Sequence, residues 1–173
     1  MDEAAFDTLY AGSVRRLIGQ LYAMTGDLPE AQDCVQEAFS RAWQHRSRLL
    51  LDGNPEGWVR TTAWRIAISR WRRVTAGARA HRLHGLPADV TQPAPLDPDL
   101  ADALRTLVPE QRRALVLFYL CDLPVETIAQ ETGIRPGTVR VQLTRGRAAL
   151  ALALREHEHA TGRNGTATEA PHV

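Results

Sequence analysis

The sequence lacks any run of about 18 apolar residues, so no membrane span is available to it. Its opening, MDEAAFDTLY, is acidic and lacks the basic-then-apolar order of a secretory signal, so a cytoplasmic protein is expected. Cysteine is nearly absent. Cys34 and Cys121 fall within helical apolar patterns and show no metal spacing, which favours buried free thiols in a reducing compartment. No glycine-rich phosphate loop or nucleophile elbow occurs. His81 and His84, like His157 and His159, have no carboxylate cluster at ligand spacing beside them. Catalytic residues, a metal site and a cofactor are therefore not expected. Lysine is missing altogether, and all 21 basic residues are arginine. No strand alternation or internal repeat stands out, so the expected fold class is all-α.

What is present is an uneven distribution of charge. The formal net charge of +1 hides it. Residues 1–45 carry three arginines against seven acids, whereas residues 46–85 carry nine against two. Residues 86–130 return to three against seven, and residues 131–155 hold five arginines and one acid. Two separated basic blocks on a nearly neutral chain imply two anion-binding surfaces.

Apolar periodicity places helices around those blocks. Phe6, Tyr10, Leu17, Leu21 and Met24 mark a helix over 3–24 that ends at Thr25-Gly26-Asp27. Asp27, Pro29 and Glu30 start the next, over 28–45. Its Ala31, Cys34, Val35, Ala38, Phe39, Ala42 and Trp43 form one stripe. Gln32, Asp33, Gln36, Glu37, Ser40, Arg41 and Gln44 form the other face. Residues 46–53 read as a loop, and Asn54-Pro55 opens a helix over 55–74. That helix interleaves Trp58, Trp64 and Trp71 with Arg60, Arg65, Arg70, Arg72 and Arg73. Rings that stack on unpaired bases beside guanidinium groups that follow phosphates suit single-stranded DNA, although at least one of the indoles is expected in the core.

Residues 76–98 contain four prolines and little periodicity, and read as a flexible linker. Four helices follow: one from near Asp99, one from Pro109 to Leu120, and two over 124–132 and 137–154. Residues 157–173 are expected to be a disordered tail. The last two helices form a helix-turn-helix pattern. Ala129 is small where helices cross, Gly133 suits a left-handed turn, Ile134 and Val139 close the core, and Thr138 can cap the second helix. That helix exposes Arg140, Thr144, Arg145 and Arg147 to a major groove.

The segments AQDCVQEAFSRAW (31–43), NPEGWVRTTAWRIAISRWRR (54–73) and 107–150 resemble, in this order, the extracytoplasmic-function (ECF) group of sigma-70 factors. The resemblance covers roughly residues 4–154. It implies a region 2-like domain (1–75) and a helix-turn-helix region 4-like domain (99–156), joined by the linker. Asp33, Gln36, Glu37 and Arg41 would dock on the β′ coiled coil of core RNA polymerase, with the β flap as a second contact. Trp64, Arg65, Ser69 and Arg72 would read the −10 element. Arg135, Thr138, Arg140, Val141, Thr144, Arg145 and Arg147 would read the −35 element of promoter DNA. The loop 46–54 looks like the element that captures a flipped −10 base. Ser69, Trp71 and the Arg140-Val141 pair depart from residues common among relatives, so promoter sequence does not transfer. An anti-sigma protein is a further partner class, with the free protein held compact until polymerase separates the modules.

The alternative is a conventional helix-turn-helix regulator that acts without replacing sigma. It accounts for 99–154 equally well, but leaves the basic, Trp-containing helix behind a polar docking helix without a purpose. A family member that has lost promoter activity and is held by an anti-sigma partner is a third possibility.

Overall fold

The computed structural model describes residues 1–49, 53–75 and 96–164, and every element within them is helical. No described helix is long and apolar enough to cross a membrane. In the first module, α1 (Glu3–Thr25) begins where the Asp2 carboxylate accepts the Ala5 amide at 2.9 Å. It ends at Gly26 in the left-handed conformation. The Asp27 carboxylate then accepts the Glu30 amide at 2.9 Å and starts α2 (Leu28–Gln44). Six of the seven residues in the expected α2 stripe are buried between α1 and α4, and Trp43 is half-buried against Phe6 with ring centroids 5.0 Å apart.

Residues 46–49 were expected in a loop but form a helical turn, α3 (Arg46–Leu49). Leu49 buries its side chain in the core, and that burial holds the turn in place. Asn54 caps α4 (Pro55–Thr75) by accepting the Gly57 amide at 2.9 Å.

The second module holds α5 (Pro98–Thr106), α6 (Pro109–Leu115), α7 (Val125–Thr132) and α8 (Pro136–Asn164). α6 does not run regularly to Leu120 as the sequence suggests. Val116–Leu120 is π-helical, with the Cys121 amide reaching the Val116 carbonyl at 3.1 Å. The wider turn buries Val116 and Leu117 and turns Tyr119 and Leu120 outward. α8 extends to Asn164, ten residues beyond the expected end, because Arg155, Glu156, Glu158 and Ala160 favour helix there and no glycine or proline interrupts between 154 and Gly162. The bulk of the expected linker (76–95) and the rest of the expected tail (165–173) lie outside the described residues.

The modules touch. α1 lies against α5, α6 and the π-helical stretch, and α4 lies against α7. One ionic cluster joins them. The Arg60 Nη1 donates to both Glu131 carboxylate oxygens at 3.0 Å, with both side chains buried. Asn54 donates to the same carboxylate at 3.0 Å, and the Thr61 hydroxyl donates to the Glu131 carbonyl at 3.2 Å. Arg60 also reaches Gln20 at 3.0 Å and Glu56 at 3.2 Å, so most of its donors are satisfied. Burial alone would raise the Glu56 carboxyl, but hydrogen bonds and charge from Arg16 and Arg60 outweigh it and hold it below its ordinary value. Gly57 leaves room for this contact: a Cβ there would collide with Glu131 Oε1 and Asn54 Nδ2, so one of these side chains would have to shift.

Candidate nucleic-acid interface

The polar face of α2 is partly tied down. Asp33, Gln36 and Glu37 are half-buried and Arg41 is exposed. Glu37 pairs with Arg41 one turn on, and accepts from Arg70 of α4 at 2.6 Å. Arg70 also reaches Glu30 at 3.4 Å. Gln32, expected on the same polar face, is buried instead. Its position borders the apolar stripe, and the sequence period does not separate a border residue from an exposed one. Cys34 and Cys121 are free thiols. Burial pushes both thiols up, Cys121 to about 11, so neither is a reactive thiolate at neutral pH.

Along α4, Arg65 and Arg72 are exposed and Ser69 is half-buried, and the three border one cleft with Ile68 and Arg73. Trp64, expected as a stacking platform, is only 7% exposed. The Arg113 guanidinium of α6 lies over its ring, 5.1 Å from the centroid. Trp71 is the indole that α4 exposes, at 56%. Arg60 and Arg70, grouped with the basic face by sequence, point away from it to Glu131 and Glu37. Of the loop 46–54, residues 50–52 lie outside the described residues.

The helix-turn-helix forms as expected. Gly133 adopts φ 71°, where a side chain would be strained, and the Ile134 amide reaches the Ala129 carbonyl at 3.2 Å. Ile128, Val139 and Leu143 are buried between α7 and α8. Arg135, Thr138, Arg140, Val141, Thr144, Arg145 and Arg147 are all exposed. Arg140 meets Glu126 at 2.8 Å, but both side chains are about 60% exposed, so the pair is cheap to open. Two placements differ from expectation. Thr138 is not a cap, because α8 starts at Pro136 and the Arg135 carbonyl accepts the first-turn amides. Arg147 folds back onto the module, donating to the Tyr119 hydroxyl at 2.8 Å and lying 5.6 Å from the Phe118 and Tyr119 rings.

Sequence reasoning missed the inter-module contacts of Arg113, Glu131 and Asn54, although it had Asn54 as a helix cap. Only Glu131 left a signal, as the single acid among the five arginines of 131–155. Among the described residues no group of His, Cys, Asp or Glu is placed to hold a metal ion.

Comparison with known proteins covers both modules. The family profile for Sigma-70 region 2 matches residues 9–76, and that for Sigma-70 region 4 matches residues 99–150. The chain is 30% identical over 175 aligned residues to the ECF RNA polymerase sigma factor SigE of Mycolicibacterium smegmatis, covering 94% of this chain and 68% of that protein. It is 32% identical over 144 residues to SigL of Mycobacterium tuberculosis, covering 77% and 79%. Its fold is shared with the sigma factor RpoE of Bartonella quintana, solved with the anti-sigma factor NepR. The TM-score is 0.71 at 23% identity, over 87% of this chain and 97% of that one.

Proposed function

Because this chain belongs to the ECF sigma factors of the sigma-70 family, which direct transcription initiation, we propose a division of labour among its three polar faces. The face of α2 carrying Asp33, Gln36, Glu37 and Arg41 docks on core RNA polymerase. The face of α4 carrying Arg65, Ser69 and Arg72 takes the −10 strand. The face of α8 carrying Arg140, Val141, Thr144 and Arg145, with Arg135 and Thr138 at its start, reads the −35 duplex. Arg147 supports the last of these by bracing α8 on the π-helical stretch. Domains over 1–75 and 99–156 separated by a linker follow from this assignment.

The observation that carries the reading is the second basic face. Each exposed α8 residue stands on a helix whose opposite side is sealed by Val139, Leu143 and Ala153, so the exposed side is free to enter a major groove. A conventional regulator is set aside, since the region 2 match gives the first module a purpose that reading leaves unexplained. Catalysis belongs to the polymerase, and this chain supplies positioning and strand capture in the same compartment.

In the arrangement described here, Arg113 covers Trp64 and narrows access to the α4 face. Polymerase docking therefore separates the modules before the −10 strand enters. An anti-sigma protein, the partner class present with RpoE in its solved complex, would act by preventing that separation.

Co-elution of the chain with purified core RNA polymerase tests the docking face. Gln36→Ala with Glu37→Ala should weaken that association about tenfold, as expected for losing charged and polar contacts. Undiminished assembly removes α2 from the assignment. Arg140→Ala should cost about 1–3 kcal/mol of −35 recognition and relax its selectivity. Equal affinity for matched and scrambled −35 duplexes in both wild type and variant contradicts the α8 assignment.

A further inference from the structure

The end of α1, the start of α2, the second half of α4 and the start of α6 line a cavity of about 450 Å³. That volume falls within the roughly 300–1,000 Å³ range of small-ligand sites, which favour the boundary between modules. Met24, Trp64, Ala67, Ile68, Trp71 and Pro109 supply its apolar walls. Trp71 borders the cavity yet is 56% exposed, so a molecule that fills the space buries indole surface now in water.

Four charged side chains complete the lining, two of each sign: Asp27, Glu30, Arg70 and Arg112. Three of them are engaged within the first module. Arg70 pairs with Glu37 at 2.6 Å and with Glu30 at 3.4 Å. Glu30 also accepts from the Cys34 thiol at 3.3 Å, and the Asp27 carboxylate caps α2. Arg112, from the second module, is different. It is buried, and its one hydrogen bond among the described residues runs from Nη2 to the Leu107 carbonyl at 3.2 Å. Its Nε is buried without a partner, so most of its five donors are unused within the fold. Burial and the charge of Arg105 pull the Arg112 guanidinium below its ordinary value, with no carboxylate opposing them.

We propose that this cavity binds a planar aromatic molecule bearing a carbonyl oxygen, its ring against Trp64, Ile68 and Trp71 and its oxygen accepting from Arg112. Aromatic carboxylates and neutral aromatic amides share that chemistry. Polyanions are disfavoured, because each added negative charge meets Asp27 and Glu30 as well as Arg112. Pro109 and Arg112 belong to the second module and the other walls to the first. A molecule held between them binds the closed form better than the open one, and so shifts the population toward closed. The effect on transcription rests on the reading that polymerase docking separates the modules, whereas the binding itself does not.

The test titrates the full chain calorimetrically with 2-naphthoate, 2-naphthamide and naphthalene, which lacks the acceptor. The indole N–H signals of the four tryptophans, followed by NMR, locate the site. At least one of the two carbonyl compounds should bind more tightly than naphthalene and move the Trp64 and Trp71 signals. Arg112→Met should cost that compound about tenfold and leave naphthalene unchanged. Trp71 is exposed, so Trp71→Ala tests the apolar wall without endangering the fold, and should weaken all three compounds about fivefold. Tighter binding of the naphthoate identifies carboxylates as the ligand class, and of the naphthamide neutral carbonyl compounds; both support the site. Equal affinity of all three compounds for the wild type overturns the proposal, as do unmoved Trp64 and Trp71 signals. Affinities unchanged in both variants overturn it equally. The bound compound should also return the Glu131→Ala variant toward the wild-type radius of gyration in small-angle scattering, and no compaction refutes the bridge between modules. Compaction without weaker association with core polymerase keeps the site and refutes the reading that docking separates the modules.

Discussion

Glu131→Ala is expected to open the molecule. The Glu131 carboxylate is the hub of the inter-module cluster, taking hydrogen bonds from Arg60 and Asn54 while nearly fully buried. Breaking a buried ion pair costs about 3–5 kcal/mol when the remaining charge is stranded. Here Arg60 keeps Gln20 and Glu56, so the lower end, about 3 kcal/mol, is appropriate. That shifts the closed-to-open ratio roughly a hundredfold. The apolar contact of α1 with α5 and α6 remains, so the result is a change in population rather than dissociation. Small-angle scattering should show a larger radius of gyration, and single-stranded DNA should bind more tightly. Gly57→Ala should act alike without altering any charge, since its Cβ would collide with Glu131 and Asn54. An unchanged radius in both variants would show that this cluster does not hold the modules together.

Val139→Asp should have the larger effect on folding. Val139 is fully buried in the apolar core where α7 and α8 meet. Burying an unpaired carboxylate there costs about 4 kcal/mol or more. A module of this size has little stability to lose. α7 and α8 should therefore melt, which would appear as lost helicity by circular dichroism and lost binding of −35 duplex. The first module keeps its own apolar centre of Leu17, Ile18, Val35, Phe39 and Val59, so association with polymerase should survive. Duplex binding at wild-type strength would show that the helix-turn-helix is not the reading element.

The parts of this fold that were legible in the sequence depend on local chemistry. α2 and α4 begin where Asp27 and Asn54 supply caps, because capping involves residues within one turn. The turn between α7 and α8 was legible because only Gly133 accepts φ 71° there easily. The π-helical stretch was not, since Val-Leu-Phe-Tyr-Leu is apolar throughout and carries no period. Nor was the seam. Arg60 and Glu131 are 71 residues apart, and in sequence Arg60 is one more arginine in a basic helix. Trp64 read as a base-stacking ring for the same reason, because the Arg113 that covers it lies in another module. Family resemblance suggested the proposed reading faces, whereas the packing of Arg113 over Trp64 emerged only from the fold.

Run-off transcription by core RNA polymerase on genomic promoter fragments, with and without this chain, is the most direct test of the proposed division of labour. Transcripts with defined starts should require the chain, and should be lost when Gln36→Ala and Glu37→Ala are combined with Arg140→Ala. Binding of duplex DNA by the chain alone, with no chain-dependent transcript from any fragment, would contradict it.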